Sequence, residues 1–109
     1  MALALNVFQT VTHVATTGAV GIYTAPVGYT GVVLLAQAAN VGSSTRTVSL
    51  SHKRSSTTTE VVKELPIEAS DTANLLPGKL VLETGDSLEV SASAGSDIKF
   101  IGSILETLN

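Results

Sequence analysis

Apolar and polar residues alternate along much of the carboxy-terminal half of the chain. From residue 87 to residue 93, Leu88, Val90 and Ala92 are each flanked by serine or glutamate. A period of two places alternate side chains on opposite faces of a strand, so this segment is predicted to be a half-buried β-strand. Similar segments, rich in Val, Thr, Ile and Leu, predict strands at residues 5–14, 19–24, 31–40, 47–53, 60–65, 80–83, 87–93 and 98–108.

Gly, Pro, Asn and Asp separate these strands and predict where the chain turns. Strands one and two are expected to form a hairpin, and strands three and four to be antiparallel neighbours. Residues 54–59, rich in Ser and Thr, are expected to be an exposed loop, and residues 67–75 to be irregular. Pro66 is expected to end the fifth strand, and it also interrupts the best helix candidate, residues 60–69.

About eight short strands at this spacing are typical of an all-β protein, here a single-domain antiparallel β-sandwich formed by residues 1–109. Immunoglobulin-like and jelly-roll-like topologies both fit this pattern. The strand positions alone do not decide between them.

Two of the predicted strands are apolar on both faces. Val33 and Leu35 alternate with other apolar residues in one strand, and Ile101 and Leu105 lie out of phase with the other large residues of the last strand. A strand that is apolar on both sides needs cover on both sides, and a second sheet supplies only one. We therefore assign Val33, Leu35, Ile101 and Leu105 to a candidate interface. Replacing Leu35 or Ile101 by Lys is expected to disrupt folding or assembly.

Charge is scarce and unevenly placed. Charged residues make up 14% of the chain, the net charge is −3, and none of the first 45 residues is charged. Cover by the core, by other copies in a homo-oligomer, or by both would explain this uncharged region. Alternatively, its Ser, Thr, Gln and Asn residues supply enough polarity. A net negative charge argues against a nucleic-acid partner, and no apolar stretch is long enough to predict a membrane span.

No catalytic grouping emerges from the sequence, so we expect neither enzyme activity nor a cofactor or metal site. His13 is expected to be a hydrogen-bonded structural residue and His52 a plain surface residue. Asp71, Asp86 and Asp97 lie in turns, which their side chains are expected to stabilise. Three cations form either a weak basic patch or the rim of an interface; they are Arg46, Lys53 and Arg54.

A ligand-binding module, for example for carbohydrate, is the alternative from another functional class. Its site would lie in exposed loops, chiefly at Arg54, Ser55, Ser56 and Thr57. Carbohydrate sites usually stack sugars on exposed aromatic rings, and this chain has only two Tyr and two Phe. Saturable binding to glycans would support this alternative.

The chain resembles small β-sandwich structural proteins from the virions of tailed bacteriophages, particularly those that infect marine bacteria and cyanobacteria. The resemblance spans nearly the whole chain and is one of pattern. Its carriers are residues 23–28 (YTAPVG), Ala39-Asn40, residues 81–88 (VLETGDSL) and residues 103–106 (SILE).

This resemblance implies a non-enzymatic virion protein that contacts other virion proteins, either the major capsid protein or neck and tail proteins. The position that it implies first is on the head, as a decoration or cement protein that coats and stabilises the capsid. A neck, tail or baseplate component is the alternative. The family has no catalytic residues to assign to this chain.

Overall fold

The structure is a computed structural model that describes residues 5–109. Strands of widely different length account for most of this range, and it contains no helix. The strands are β1 (Asn6–Val14), β2 (Val20–Thr24), β3 (Tyr29–Asn40), β4 (Arg46–Arg54), β5 (Thr57–Ile67), β6 (Thr72–Asn74), β7 (Leu80–Leu82), β8 (Ser87–Ala92) and β9 (Ile98–Leu108).

Two antiparallel sheets pack face to face. Sheet I has the order β1-β9-β3-β6, with β7 also paired to β3, and sheet II has the order β2-β8-β4-β5. The pairs are nested: β1 with β9, β2 with β8, β3 with β6 and β7, and β4 with β5. A chain that is folded once on itself and then rolled into two sheets produces this nesting, which is the jelly-roll arrangement. The predicted all-β antiparallel sandwich is therefore confirmed, with nine strands where about eight were expected.

Two predicted strand pairings are wrong. β1 and β2 do not form a hairpin, and β3 and β4 are not neighbours, because each pair is divided between the two sheets. The turn at Gly85-Asp86 likewise carries the chain from sheet I to sheet II. Among the described strands, only β4 and β5 are both consecutive and paired. Turn residues indicate that the chain changes direction, but they do not indicate whether the next strand stays in the same sheet.

The β4–β5 connection is shorter than predicted. Arg54 pairs with Thr57, so the expected loop at residues 54–59 is a two-residue turn at Ser55-Ser56. The φ angle of Ser55 is 55°, in the left-handed region that tight hairpin turns use. Pro66 does not end β5, which extends to Ile67, and residues 67–75 include the short strand β6. β5 is an edge strand, where a missing N–H is tolerated.

The core lies between the sheets. Sheet I contributes Val33, Ile98 and Ile104, and sheet II contributes Leu50 and Leu88, all of them at most 1% exposed. In β8 and β9 the buried residues occupy alternate positions, as the sequence pattern predicts. Burial of this apolar surface stabilises the sandwich.

A partly buried hydrogen bond also joins the two sheets. The hydroxyl of Tyr23 in β2 donates to Oε2 of Glu106 in β9 over 2.5 Å, and Glu106 is only 5% exposed. A Cβ at Gly31 would lie 3.1 Å from the Tyr23 hydroxyl, so glycine leaves room for the ring at this position. Burial raises the pKa of the Tyr23 hydroxyl, and its hydrogen bond to Glu106 raises it further.

The Tyr23→Phe variant is expected to lose about 1–2 kcal/mol of unfolding free energy. Without the hydroxyl, the buried Glu106 carboxyl has one donor fewer, while the packing of the ring is preserved. Urea denaturation of the variant and the wild-type protein would measure the difference. A Tyr23→Phe variant as stable as the wild-type protein would contradict the assigned role of the Tyr23 hydroxyl.

Candidate interaction surface

The two sheets have very different outward faces. In β9 the residues that alternate with the core are Lys99, Ile101, Ser103, Leu105 and Thr107, and these lie on the outward side of sheet I. The strand register places the outward residues of β1, β3, β6 and β7 beside them. Lys99 is the only charged residue at the outward positions of the described sheet I strands. We call this outward side of sheet I the apolar face.

A continuous apolar row crosses this face. Phe8 pairs with Leu105, Leu105 with Val32, and Val32 with Val81, so the row runs across β1, β9, β3 and β7. Phe8 is 73% exposed and Val81 is 54% exposed. Single exposed apolar residues are ordinary, but a contiguous apolar patch is typical of a surface that contacts another molecule.

A shallow groove of about 570 Å³ lies at one end of the apolar face. Its lining residues are Thr12, His13, Val14, Ala39, Lys99, Phe100 and Ile101. The outward residues of this groove and the apolar row therefore lie on the same face of sheet I.

The outward face of sheet II provides an internal comparison. Its central residues come from β4 and β8, where Ser49 pairs with Ser91 and Ser51 pairs with Glu89. Ser51 also pairs with Glu60 of β5. Serine and charged side chains thus cover the outer side of sheet II, as on an ordinary solvated sheet. The apolar character of the outer surface is specific to sheet I.

Three of the four candidate interface residues lie on the apolar face. Leu35 is 36% exposed, Ile101 is 41% exposed, and Leu105 is half-buried within the apolar row. Val33, in contrast, is fully buried in the core, and it therefore drops out of the candidate interface. Simple alternation places Val33 and Leu35 on the same face. A register shift between them inserts Leu34 as an extra residue, so that the alternation reverses after Val33.

The candidate loop residues lie at the tip of the β4–β5 hairpin. Arg54, Ser55, Ser56 and Thr57 are all exposed, as expected, although Arg54 and Thr57 belong to the strands. A polar groove of about 400 Å³ lies beside them, lined by His52, Arg54, Ser55, Thr57 and Thr59. The Arg54 guanidinium is engaged by carboxylates of this chain, which gives it a structural role.

Asp86 is the centre of these contacts. It is 2% exposed, and its carboxylate accepts two hydrogen bonds from Arg54, of 2.8 and 2.7 Å. It also accepts the Glu83 backbone N–H over 2.9 Å and lies 3.0 Å from Nε2 of His52. The hydrogen bonds from Arg54 hold the pKa of Asp86 well below its usual range, although burial acts in the opposite direction. This cluster joins the end of β4 to the turn between β7 and β8.

The cations expected to form a basic patch are each paired. Nε of Arg46 lies 2.8 Å from Asp97, and Nζ of Lys53 lies 3.6 Å from Glu89. Arg54 is likewise bound to Asp86, so all three cations are paired with carboxylates of this chain and do not form an unpaired basic patch. The alternative, that they form the rim of an interface, stays a prediction. The expectation for His52 is also wrong, because its ring contacts the buried Asp86.

His13 departs from expectation as well. Its Nε2 is buried and has no hydrogen-bond partner, whereas a hydrogen-bonded ring was expected. The turn roles are confirmed for two aspartates: Asp71 accepts the Thr72 N–H, and Asp86 accepts the Glu83 N–H.

Sequence reasoning missed the apolar row and the Asp86 cluster. Both depend on which strands are neighbours, since Phe8 and Leu105 are 97 positions apart and His52 and Asp86 are 34 apart. One available signal was in the first strand, where Phe8 shares its face with the polar residues Asn6, Thr10 and Thr12. A large apolar residue on a mostly polar face indicates a candidate contact surface. No group of three or more potential metal ligands occurs within residues 5–109. The same range contains no helix that could span a membrane.

Comparisons with known proteins give structural matches only. No protein-family model matches the chain, and no curated protein matches it. A chain of the acid-stable capsid of Helicobacter pylori bacteriophage KHP30 superposes with a TM-score of 0.59 at 12% identity, covering 96% of this chain and 89% of that one. A chain of the T13 IBDV viral particle superposes with a TM-score of 0.60 at 11% identity, covering 97% of this chain and 32% of that one. This chain thus spans about a third of the IBDV chain, and its fold is similar to those found in two viral particles.

Proposed function

We propose that this protein is a non-enzymatic structural component of a virion, which it joins through the apolar face. The observation that carries the proposal is the apolar row across sheet I, with Lys99 as the only charged outward residue of the described strands of that sheet. Covering such a face removes apolar surface from water at the cost of few charged groups. An apolar face with few charges is typical of a subunit that docks on another protein and is repeated by symmetry in an assembly.

The structural matches support the same proposal. Both come from viral particles, and the phage capsid chain is nearly matched in length. Jelly rolls occur in viral capsid domains and also in lectins and cupins, so the fold alone does not define the function. The uncharged amino-terminal region, which supplies β1 and β3 to sheet I, adds a feature specific to this chain.

Within the particle, we propose attachment to the head as a decoration or cement protein. In this arrangement the apolar face contacts the major capsid protein and the polar face of sheet II points to solvent. A neck or tail position is the alternative outcome. Both positions place the protein in the virion and leave it without a cofactor.

Immunogold electron microscopy of purified virus particles tests this proposal. Antibodies raised against the recombinant protein are expected to label intact particles on the head. Label on the neck or tail would replace decoration by the alternative position. Detection of the protein in infected-cell lysate but not in purified particles would refute the virion role.

Lysine substitutions on the apolar face test the docking surface. Leu35→Lys and Ile101→Lys are expected to fold and to lower the affinity for the particle by about a hundredfold or more, because docking buries an unpaired charge. Ser91→Lys, at the centre of the outward face of sheet II, is the matched control and is expected to bind normally. Co-sedimentation of folded variants with particles measures the effect. Normal binding by both apolar-face variants would exclude this face as the docking surface.

A further inference from the structure

The outer edge of β1 is open. β1 is the end strand of sheet I, and among the described strands it pairs only with β9. Its nine residues include no charged residue and no proline, and its register with β9 shows no shift. A long, regular, uncharged edge strand presents unpaired backbone groups that can pair with another strand.

The other edges of the sandwich are protected. β5 carries Glu60, Lys63, Glu64 and Pro66, and its register with β4 shifts twice. β2 has only five residues and an irregularity in its register with β8, and β6 and β7 have three residues each. Charges, proline, bulges and short length are the features that keep edge strands from pairing. Among the described strands, β1 alone has none of them.

The backbone groups that face this open edge can be identified. The Ala15 N–H donates to the Ile98 carbonyl over 2.9 Å, and the Leu108 N–H donates to the Leu5 carbonyl over 2.8 Å. Hydrogen-bonded pairs alternate along an antiparallel ladder, so the odd-numbered residues of β1 bond to β9. The even-numbered residues therefore direct their N–H and C=O groups to the open edge; they are Asn6, Phe8, Thr10, Thr12 and Val14.

We propose that β1 of a second copy of this chain pairs antiparallel with this edge, about a two-fold axis at Thr10. In this register Thr10 lies opposite Thr10, Phe8 opposite Thr12, and Asn6 opposite Val14. Every edge-facing N–H of each copy then meets a carbonyl of the other. The pairing brings no two like charges together, because the strand has none. It also places the 73% exposed Phe8 beside Thr12 of the second copy.

A second copy is the occupant that the observations favour. A two-fold interface requires a surface that is complementary to itself. β1 meets this requirement because it is uncharged and because every second residue offers both a backbone N–H donor and a carbonyl acceptor at the open edge. Such pairing also joins sheet I of both copies, which makes their apolar faces one continuous surface. The inference does not depend on attachment to a virion, since the edge and the apolar face are tested by different variants.

Engineered disulfides test the register. The chain has no cysteine, so a single introduced cysteine reports on its own position. In the proposed dimer the two Thr10 Cα atoms are about 5.5 Å apart, within the range of about 4.4–6.8 Å that disulfides span. The two Thr12 positions are four residues apart along the strands, about 14 Å. Thr10→Cys is therefore expected to give a disulfide-linked dimer under mild oxidation, while Thr12→Cys, also exposed and on the same face, stays reduced.

Sedimentation equilibrium tests the role of the edge hydrogen bonds. Thr10→Pro removes an N–H that faces the open edge and keeps the ladder to β9, so it is expected to raise the dimer dissociation constant about tenfold or more. Thr10→Ala keeps the N–H and is the control, and circular dichroism verifies that both variants fold. A monomeric wild-type protein at high concentration, or unchanged dimerisation of folded Thr10→Pro, would overturn the proposal. Should Thr10→Pro not fold, equal or absent cross-linking of the two cysteine variants would overturn it.

Discussion

The Val33→Asp variant is expected to be largely unfolded at room temperature. Val33 is fully buried between the sheets, where its strand neighbours on the core side are Ile104 and Leu80. An unpaired carboxylate at this position costs several kcal/mol. Small domains have only about 5–15 kcal/mol of unfolding free energy in total. Circular dichroism and urea denaturation would measure the loss.

Leu35→Asp is the matched control, two residues along the same strand. Leu35 is 36% exposed on the apolar face, so its replacement is expected to change the unfolding free energy by about 1 kcal/mol or less. The bulge at Leu34 places Val33 and Leu35 on opposite faces and so predicts a large loss of unfolding free energy for Val33→Asp only. Uninterrupted alternation would place both residues on one face and predicts equal losses. Similar destabilisation by both substitutions would contradict the described register of β3.

The Asp86→Ala variant is expected to lose about 3 kcal/mol of unfolding free energy. The buried carboxylate is the common acceptor for Arg54 and the Glu83 backbone N–H, and it also contacts His52. Removing it takes this shared acceptor away at the junction of β4 with the β7–β8 turn and leaves Arg54 only the exposed Glu83 carboxylate. Glu83→Ala is the control, since the Glu83 side chain is 70% exposed and a large effect is not expected. Thermal and urea denaturation of both variants would test the difference.

The Asp86 contribution to stability should also depend on pH. In the folded protein the pKa of Asp86 is held well below its usual range, mainly by the hydrogen bonds from Arg54, whereas an unfolded aspartate has a pKa of about 3.9. A depressed folded-state pKa gives stability that is fully present above the unfolded value and is lost as the pH falls further. The deficit of Asp86→Ala relative to wild type should therefore persist in mildly acidic solution and shrink below about pH 4. A deficit that increases on acidification below pH 4 would contradict the assignment.

Most strands could be predicted from the sequence because their determinants are local. In β8, alternation of large apolar residues with serine and glutamate identifies both the strand and its buried face. In β9, the two-residue period separates Ile101 and Leu105 from Ile98, Phe100 and Ile104. The outward positions of Ile101 and Leu105 follow from the same alternation and are confirmed. The contact of these residues with a partner stays a prediction.

The site could be predicted only in part. Leu35 is on the apolar face and Val33 is not, because one extra residue in β3 reverses the phase. Nothing in the local pattern marks that bulge, since residues 32–35 are all large and apolar. The turn role of Asp86 was predicted, but its contacts with His52 and Arg54 were missed, because these partners come from distant parts of the chain.

By itself, the sequence determined the strand-rich composition, the positions of most strands and the uncharged amino-terminal region. These features depend on side-chain type and on the two-residue repeat of a strand, which act within a few residues. Only the tertiary structure decided the jelly-roll pairing, the apolar row of Phe8, Leu105, Val32 and Val81, and the open edge of β1. These depend on which strands become neighbours, and that is decided by packing of the whole chain around one core and not by any local segment.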